Sequence, residues 1–369
     1  MKNHKSLAIL IPMLFAGSTA VNAIEIFNKN GNKLELYGSI NPNHNFSNEF
    51  LSTKISSKED NTNAILGLSG KIKITDKLSS YAQIEYKNNF FMPEDLMNKQ
   101  QPNTVRLGYA GLKYGNLGSI DYGRNYGVIH DAQSLTDHVP YINKKSIFAY
   151  NDNYMVGRNH SLLTYRNNNV FGLVDGISFA LQYQDEIKNR DLNKGKSSSG
   201  WGASLKYESD SGLTAVGSCF TSERMISSNK KDLKNTSVDS YGLGFKYDAN
   251  NVYVAAFYGS ARNLMPYNMH ISDSFINETQ NIEAIAEYSF DSGFHPSLSY
   301  LDSKGQNSNS PKKELDLAKQ INISTRYEFN KNVSTYMNYK INLLKENDFI
   351  SQNQIPTDNT IGAGVVYQF

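Results

Sequence analysis

From residue 24 onward, apolar and polar side chains alternate with a period of two, as in β-strands with one wet face and one apolar face. Three segments show it best. Ala64, Leu66, Leu68, Gly70, Ile72 and Ile74 interleave with Asn63, Ile65, Gly67, Ser69, Lys71 and Lys73, where only Ile65 breaks the polar set. Ile361, Ala363, Val365, Tyr367 and Phe369 alternate likewise with Thr360, Gly362, Gly364, Val366 and Gln368 at the C-terminus. Near the start, Leu34, Leu36, Gly38 and Ile40 alternate with Glu35, Tyr37 and Ser39, which predicts a strand at each end.

The links between strands alternate in length. Short ones rich in Gly, Asn, Asp and Ser fall at Thr75–Lys77, Tyr114–Gly118, Asn167–Gly176, Glu208–Gly212, Asp248–Asn251, Asp291–Gly293 and Asn330–Asn332. Longer polar stretches run over Phe46–Asp60, Asn88–Asn103, Gly127–Gly157, Glu186–Ser199, Glu223–Asn235, Ser260–Thr279, Ser303–Leu317 and Leu344–Asn359. Seven short links and eight long ones join sixteen strands and put both termini on the short-turn side. The expected fold is all-β, a 16-stranded antiparallel transmembrane β-barrel, because lipid tolerates no open sheet edge.

Helical spanning is excluded, since it takes roughly 20 consecutive apolar residues and the longest apolar run, Leu7–Ala16, is shorter. That run reads as part of a signal peptide over residues 1–23. Lys2 and Lys5 supply the basic region and Val21-Asn22-Ala23 the cleavage site, which leaves a single barrel domain over 24–369. Cleavage lowers Lys+Arg from 37 to 35, equal to the 35 Asp+Glu, so nucleic acid is not an expected partner. Cys219 is the sole cysteine and reads as a small strand residue. The 24 Tyr and 18 Phe fit the aromatic girdles of an outer-membrane barrel, with Tyr367 and Phe369 near the turn-side girdle.

Several stretches resemble the trimeric general porins of enterobacterial outer membranes. They are Glu25-Ile26-Phe27-Asn28-Lys29, Gly31–Gly38, Arg106–Tyr114, Asp121-Tyr122-Gly123-Arg124-Asn125-Tyr126-Gly127, Phe171–Gly176, Lys246–Asn251 and the ending Val366-Tyr367-Gln368-Phe369. The resemblance covers essentially the whole chain after the leader. It implies a homotrimer in outer-membrane lipid, a water-filled channel for passive passage of small hydrophilic solutes and ions, and no cofactor. It also implies that Gly127–Gly157 is a third loop folded inward to form the constriction, and that Phe369 is a terminal signal for the barrel-assembly machinery.

By the same resemblance, Arg106 and Arg158 stand at wall arginines of the constriction and Asp137 at a loop acid. Ile65 replaces a third wall arginine, and Ser39 and Thr104 replace wall lysines. Tyr141, after Pro140, replaces a glutamate, while Asn143, Lys144 and Lys145 replace Gly-Gly-Asp. The loop gains four charge units and the wall loses three, so a weakly selective pore, neutral to slightly anion-preferring, is expected. An anion- or phosphate-preferring channel is the alternative within this class. A barrel enzyme using His130 beside Asp131 or His138 beside Asp137 is the catalytic alternative, but no nucleophile or metal-ligand cluster of recognisable spacing joins them. A secreted soluble β protein such as an adhesin is the third.

Overall fold

The computed structural model describes residues 23–47, 60–90, 103–138, 146–152, 154–186, 196–228, 232–268, 271–306, 314–346, 348–353 and 355–369. The signal segment, apart from Ala23, and the loop residues Tyr141, Lys144 and Lys145 therefore lie outside the described residues.

One antiparallel sheet closes on itself. Its wall strands, in chain order, are Asn32–Asn41 continued by Asn43–Ser47, then Asn63–Lys73, Leu78–Asn89, Asn103–Tyr114, Ser119–Tyr126, Arg158–Asn168, Ile177–Gln184 and Lys196–Glu208. The circuit continues through Leu213–Ser228, Asp232–Ala249, Val252–Arg262, Glu278–Tyr288, Phe294–Gln306, Glu314–Glu328, Val333–Asn342 and Thr360–Gln368. Sixteen passes result, each paired with its sequence neighbours, and the last returns to the first through Ser39 opposite Gln368. Pro42 interrupts the first pass because it has no N–H for the ladder.

The seam is built from both ends of the chain. Ile24–Lys29 folds back on Asn32–Asn41 through a tight Asn30-Gly31 turn with both φ values positive. It lies against the same strand that Thr360–Gln368 pairs with, and so completes that wall strand. Phe369 N–H donates to Gly38 O at 3.0 Å, and Gly38 N–H donates back to Phe369 O at 2.9 Å.

The alternation resolves into an inverted protein. Leu66, Ile72, Ile84, Leu112, Leu243, Phe245, Leu298, Ile323 and Val365 lie on the outside, with Ile72 59 % exposed. Gln83, Glu85, Asn281, Glu283, Asn322 and Arg326 are buried on the inside. A soluble sandwich buries its apolar face, so this arrangement fits lipid outside and water inside. Among the described residues no helix is long and apolar enough to cross a membrane. Outward aromatics cluster beside the short turns: Tyr288 with Phe290, Tyr327 with Phe329, and Tyr367 with Phe369 have ring centroids 4.6, 5.1 and 6.1 Å apart.

Polar composition misjudged where the long connections begin. Glu223–Asn235 is mostly ladder, with unbroken register from Leu213 opposite Tyr247 to Ser228 opposite Asp232. Over Ser303–Leu317 the strands run on to Gln306 and resume at Glu314, and Ser260–Thr279 holds a small hairpin, Pro266–Asn268 with Ile271–Phe275. A ladder satisfies backbone groups whatever its side chains, so strands outside lipid can be wholly polar.

Candidate functional site

The connection between Ser119–Tyr126 and Arg158–Asn168 turns into the barrel. It begins with the short helix Ile129–Gln133 and a single 3-10 turn, Ser134–Thr136, and a second turn, Ile147–Ala149, precedes the return. Val128, Ile129, Ala132, Ile147, Phe148, Met155 and Val156 are buried against Val216, Phe220, Phe257 and Ala261 of the wall. Side chains this apolar would be wasted on a solvated loop. Three wall glycines admit them: a Cβ on Gly202 would lie 2.6 Å from Val128 Cγ2, one on Gly244 2.6 Å from Ala132 O, and one on Gly259 2.6 Å from Phe148 Cε2.

Polar contacts carry the segment across the lumen. It leaves the fifth wall strand, and Thr136 Oγ1 donates to Glu283 Oε2 of the twelfth at 2.6 Å. His138 Nε2 lies 3.0 Å from Glu287 Oε1 of the same strand, its ring stacked on Tyr253 with centroids 3.6 Å apart. Tyr253 OH donates to Leu135 O at 2.7 Å. On the near side, Arg166 donates to both oxygens of Asp131 at 2.8 and 3.0 Å, and Ser204 Oγ donates to Asp131 Oδ2 at 2.5 Å. Burial acts to raise the Asp131 pKa, but the Arg166 guanidinium and these hydrogen bonds outweigh it and hold the carboxyl below its ordinary range.

Those contacts commit the Asp131 carboxylate to partners other than His130. Its ring is stacked on Tyr126 at 4.1 Å, and Nδ1 lies 3.2 Å from Gln133 Oε1, while the carboxylate of Asp131 is engaged by Arg166 and Ser204. Burial pushes the His130 pKa down, so the ring is neutral at pH 7. His138 is the histidine that ties the segment to the far wall, through Glu287 and Tyr253.

The third to sixth wall strands carry the cations. Their pairing shifts between Glu85 and Tyr86, which face Leu107 and Val105, so Arg106 is the extra residue of a bulge. Arg106 Nε donates to Glu85 Oε1, and Tyr37 OH donates to Glu85 Oε2 at 3.0 Å. Arg124 grips both oxygens of Asp152 at 2.6 and 3.0 Å. Arg158 Nε donates to Asn151 Oδ1 at 3.2 Å, with its guanidinium 6.0 Å from the Tyr126 ring centroid. One level row toward the long loops joins Ser39 to Ile65, Ile65 to Lys87 and Lys87 to Thr104 as direct cross-strand neighbours.

The structure thus brings Arg106, Arg158, Ser39, Ile65 and Thr104 onto one side of the barrel. Asp137 caps the first 3-10 turn, in the stretch whose Thr136 and His138 reach the twelfth strand. Arg106 stands on the fourth strand and the carboxylates Glu283 and Glu287 on the twelfth, eight places round a sixteen-strand ring. Sequence reading missed Lys87, Arg124, Arg166 and the three glutamates. Parity held the signal for Lys87, which shares the inward face of its strand with Gln83 and Glu85.

A closed barrel, apolar outside, polar inside and crossed by its own chain, is a transmembrane pore of the outer-membrane kind. The family model for Gram-negative porins matches residues 29–369, and the chain belongs to that family. A porin-like protein of Buchnera aphidicola subsp. Acyrthosiphon pisum is 64 % identical over the full length of both chains. Outer membrane protein F of Serratia marcescens is 42 % identical, again over both full lengths. A solved Salmonella typhi OmpF, in complex with daunomycin, is 39 % identical and superposes with a TM-score of 0.82 over 94 % of this chain and all of its own. The protein is a general diffusion porin of the outer membrane, a water-filled channel for small hydrophilic solutes and ions.

Proposed function

We propose that the chain, after removal of residues 1–23, forms a homotrimer whose pores discriminate weakly among ions and lean toward anions. Arg106 and Arg158 are its wall cations, Asp137 its loop acid, and Ser39, Ile65 and Thr104 the wall positions where charge is absent. Tyr141, Lys144 and Lys145 belong to the same constriction, and Phe369 serves insertion through the barrel-assembly machinery.

The observation that carries the ionic reading is the charge balance of one wall. Lys87, Arg106, Arg124 and Arg158 share a neighbourhood with two carboxylates, Glu85 and Asp152. Unit charges about 10 Å apart interact by about 0.4 kcal/mol at the dielectric of water and about 1.7 kcal/mol at an effective 20, which is a bias and not a filter. Reversal potentials in a potassium chloride gradient test it, together with Lys144→Glu combined with Lys145→Glu. The native pore should favour chloride by a factor of a few and the variant should lose that preference. If both prefer cations equally, the two lysines point away from the lumen and the anion-leaning reading falls.

A further inference from the structure

Five of the seven short links have only polar residues and glycine at their tips, as in Thr75-Asp76-Lys77, Ser209-Asp210-Ser211-Gly212 and Asp291-Ser292-Gly293. The other two, Tyr114–Gly118 and Asn167–Gly176, are apolar and lie side by side. Their Leu117, Phe171, Leu173 and Val174 are all exposed, and Leu173, at 81 %, is the most exposed large apolar side chain among the described residues.

The backbone goes to some length to present them. Asn169, Val170 and Phe171 are consecutive left-handed residues, with φ of 56, 43 and 62°. A β-branched valine is strained in that region, and the other short links reverse the chain without putting a β-branched or aromatic residue there. Two asparagine side chains hold the conformation: Phe171 N–H donates to Asn167 Oδ1 at 2.6 Å and Gly176 N–H to Asn169 Oδ1 at 3.3 Å. Asn167 Nδ2 also donates to Asn116 O at 3.0 Å, which ties the two turns together. Gly172 lets them close, since a Cβ there would lie 2.6 Å from Asn116 Nδ2.

The apolar tips continue the lipid-facing wall. The Phe171 ring lies 5.9 Å from Phe179, which lies 5.9 Å from Tyr165, and Tyr165 OH donates to Leu117 O at 2.5 Å. Tyr165 and Phe179 stand on the outer face, in register with the exposed Leu181 and Leu205. Asp175 is the only charged residue in the two turns, so a partner recognised by charge is not what they suit. We infer that these turns form an interfacial lipid anchor, in which Leu117, Phe171, Leu173 and Val174 enter the boundary between headgroups and acyl chains of zwitterionic phospholipid on the short-turn side. This surface lies beyond the wall strands and outside the pore, and is independent of the ionic preference proposed above.

Trp201 is the sole tryptophan, so Leu173→Trp in a Trp201→Phe background places one fluorescent reporter at the tip. The full-length trimer, checked on an unheated gel, is reconstituted in phosphatidylcholine vesicles brominated either near the headgroup or near the acyl-chain ends. Emission should be blue-shifted from that of tryptophan in water, and quenched more by the headgroup-proximal bromines than by the chain-end ones. Water-like emission without quenching would overturn the anchor and leave the tip free for a protein partner. Blue-shifted emission that bromolipid does not quench would overturn it in favour of burial against another subunit, and stronger quenching by chain-end bromines would place the tip in the wall belt instead. Val174→Trp in the same background carries the same readout should Leu173→Trp fail to assemble. Leu173→Asn in the otherwise native chain should leave single-channel conductance unchanged, because the turn lies outside the pore; an altered conductance with the trimer intact would contradict that placement.

Discussion

The inward segment packs closely on wall positions that have no side chain, Gly202, Gly244 and Gly259, so Gly244→Ala with Gly259→Ala is a direct perturbation of the constriction. The new Cβ at 244 would sit 2.6 Å from Ala132 O and 3.0 Å from Leu135 Cδ1, and the one at 259 would sit 2.6 and 2.7 Å from the Phe148 ring. Ordinary contact needs about 3.5 Å, so something must yield by about 0.9 Å at each site. The wall is held on both flanks by ladder pairing, Gly244 between Val216 and Phe257 and Gly259 between Gly242 and Asn281. The segment is held by side-chain packing and a few hydrogen bonds, and therefore it moves toward the lumen. Overpacking of this kind costs about 1–3 kcal/mol, more than the roughly 0.5–1 kcal/mol gained by replacing a strand glycine. Single-channel conductance should fall, while Gly217→Ala, whose Cβ would make only an ordinary 3.6 Å contact with Leu243, should leave it unchanged. Unaltered or raised conductance in the double variant, with a folded trimer, would refute the docking argument.

The Asp131 anchor gives docking a pH dependence. Its carboxyl pKa is lowered in the folded state, so its stabilisation is present above the unfolded value of about 3.9 and is lost as pH falls through the lower folded value. Asp131→Asn should cost docking about 2 kcal/mol and make conductance fluctuate at pH 7 as the native pore does only in strong acid, and a quiet variant at pH 7 would count against the anchor. Deleting Phe369 removes both backbone hydrogen bonds to Gly38 at the seam and should lower the yield of heat-sensitive trimer on unheated gels; normal yield with altered conductance would assign the residue to permeation instead.

Period-two alternation and link lengths made the barrel legible because lipid demands one continuous apolar face and closure demands an even circuit. Strand ends were not legible, since Ser228 opposite Asp232 shows that polar ladders outlast any compositional boundary. The inward segment carried a weak signal of its own in Val128, Ile129, Ile147 and Phe148, too apolar for a solvated loop, yet its direction came from resemblance. Ion pairing was invisible: Arg106 with Glu85 depends on a bulge, and Arg166 with Asp131 joins residues 35 apart. Lys87 was missed because the substitutions at Ser39, Ile65 and Thr104 drew the eye to lost cations, while the register that puts a cation among them exists only in the folded sheet.

The central claim is that this chain forms an open, unsaturable channel narrowed by its own inward segment. Swelling of liposomes holding the purified trimer, measured with uncharged sugars of increasing size, tests it most directly. Rates should rise linearly with sugar concentration and fall steadily with solute size, without preference among isomers of one size. Saturation with concentration, or a rate set by sugar identity at constant size, would contradict the account.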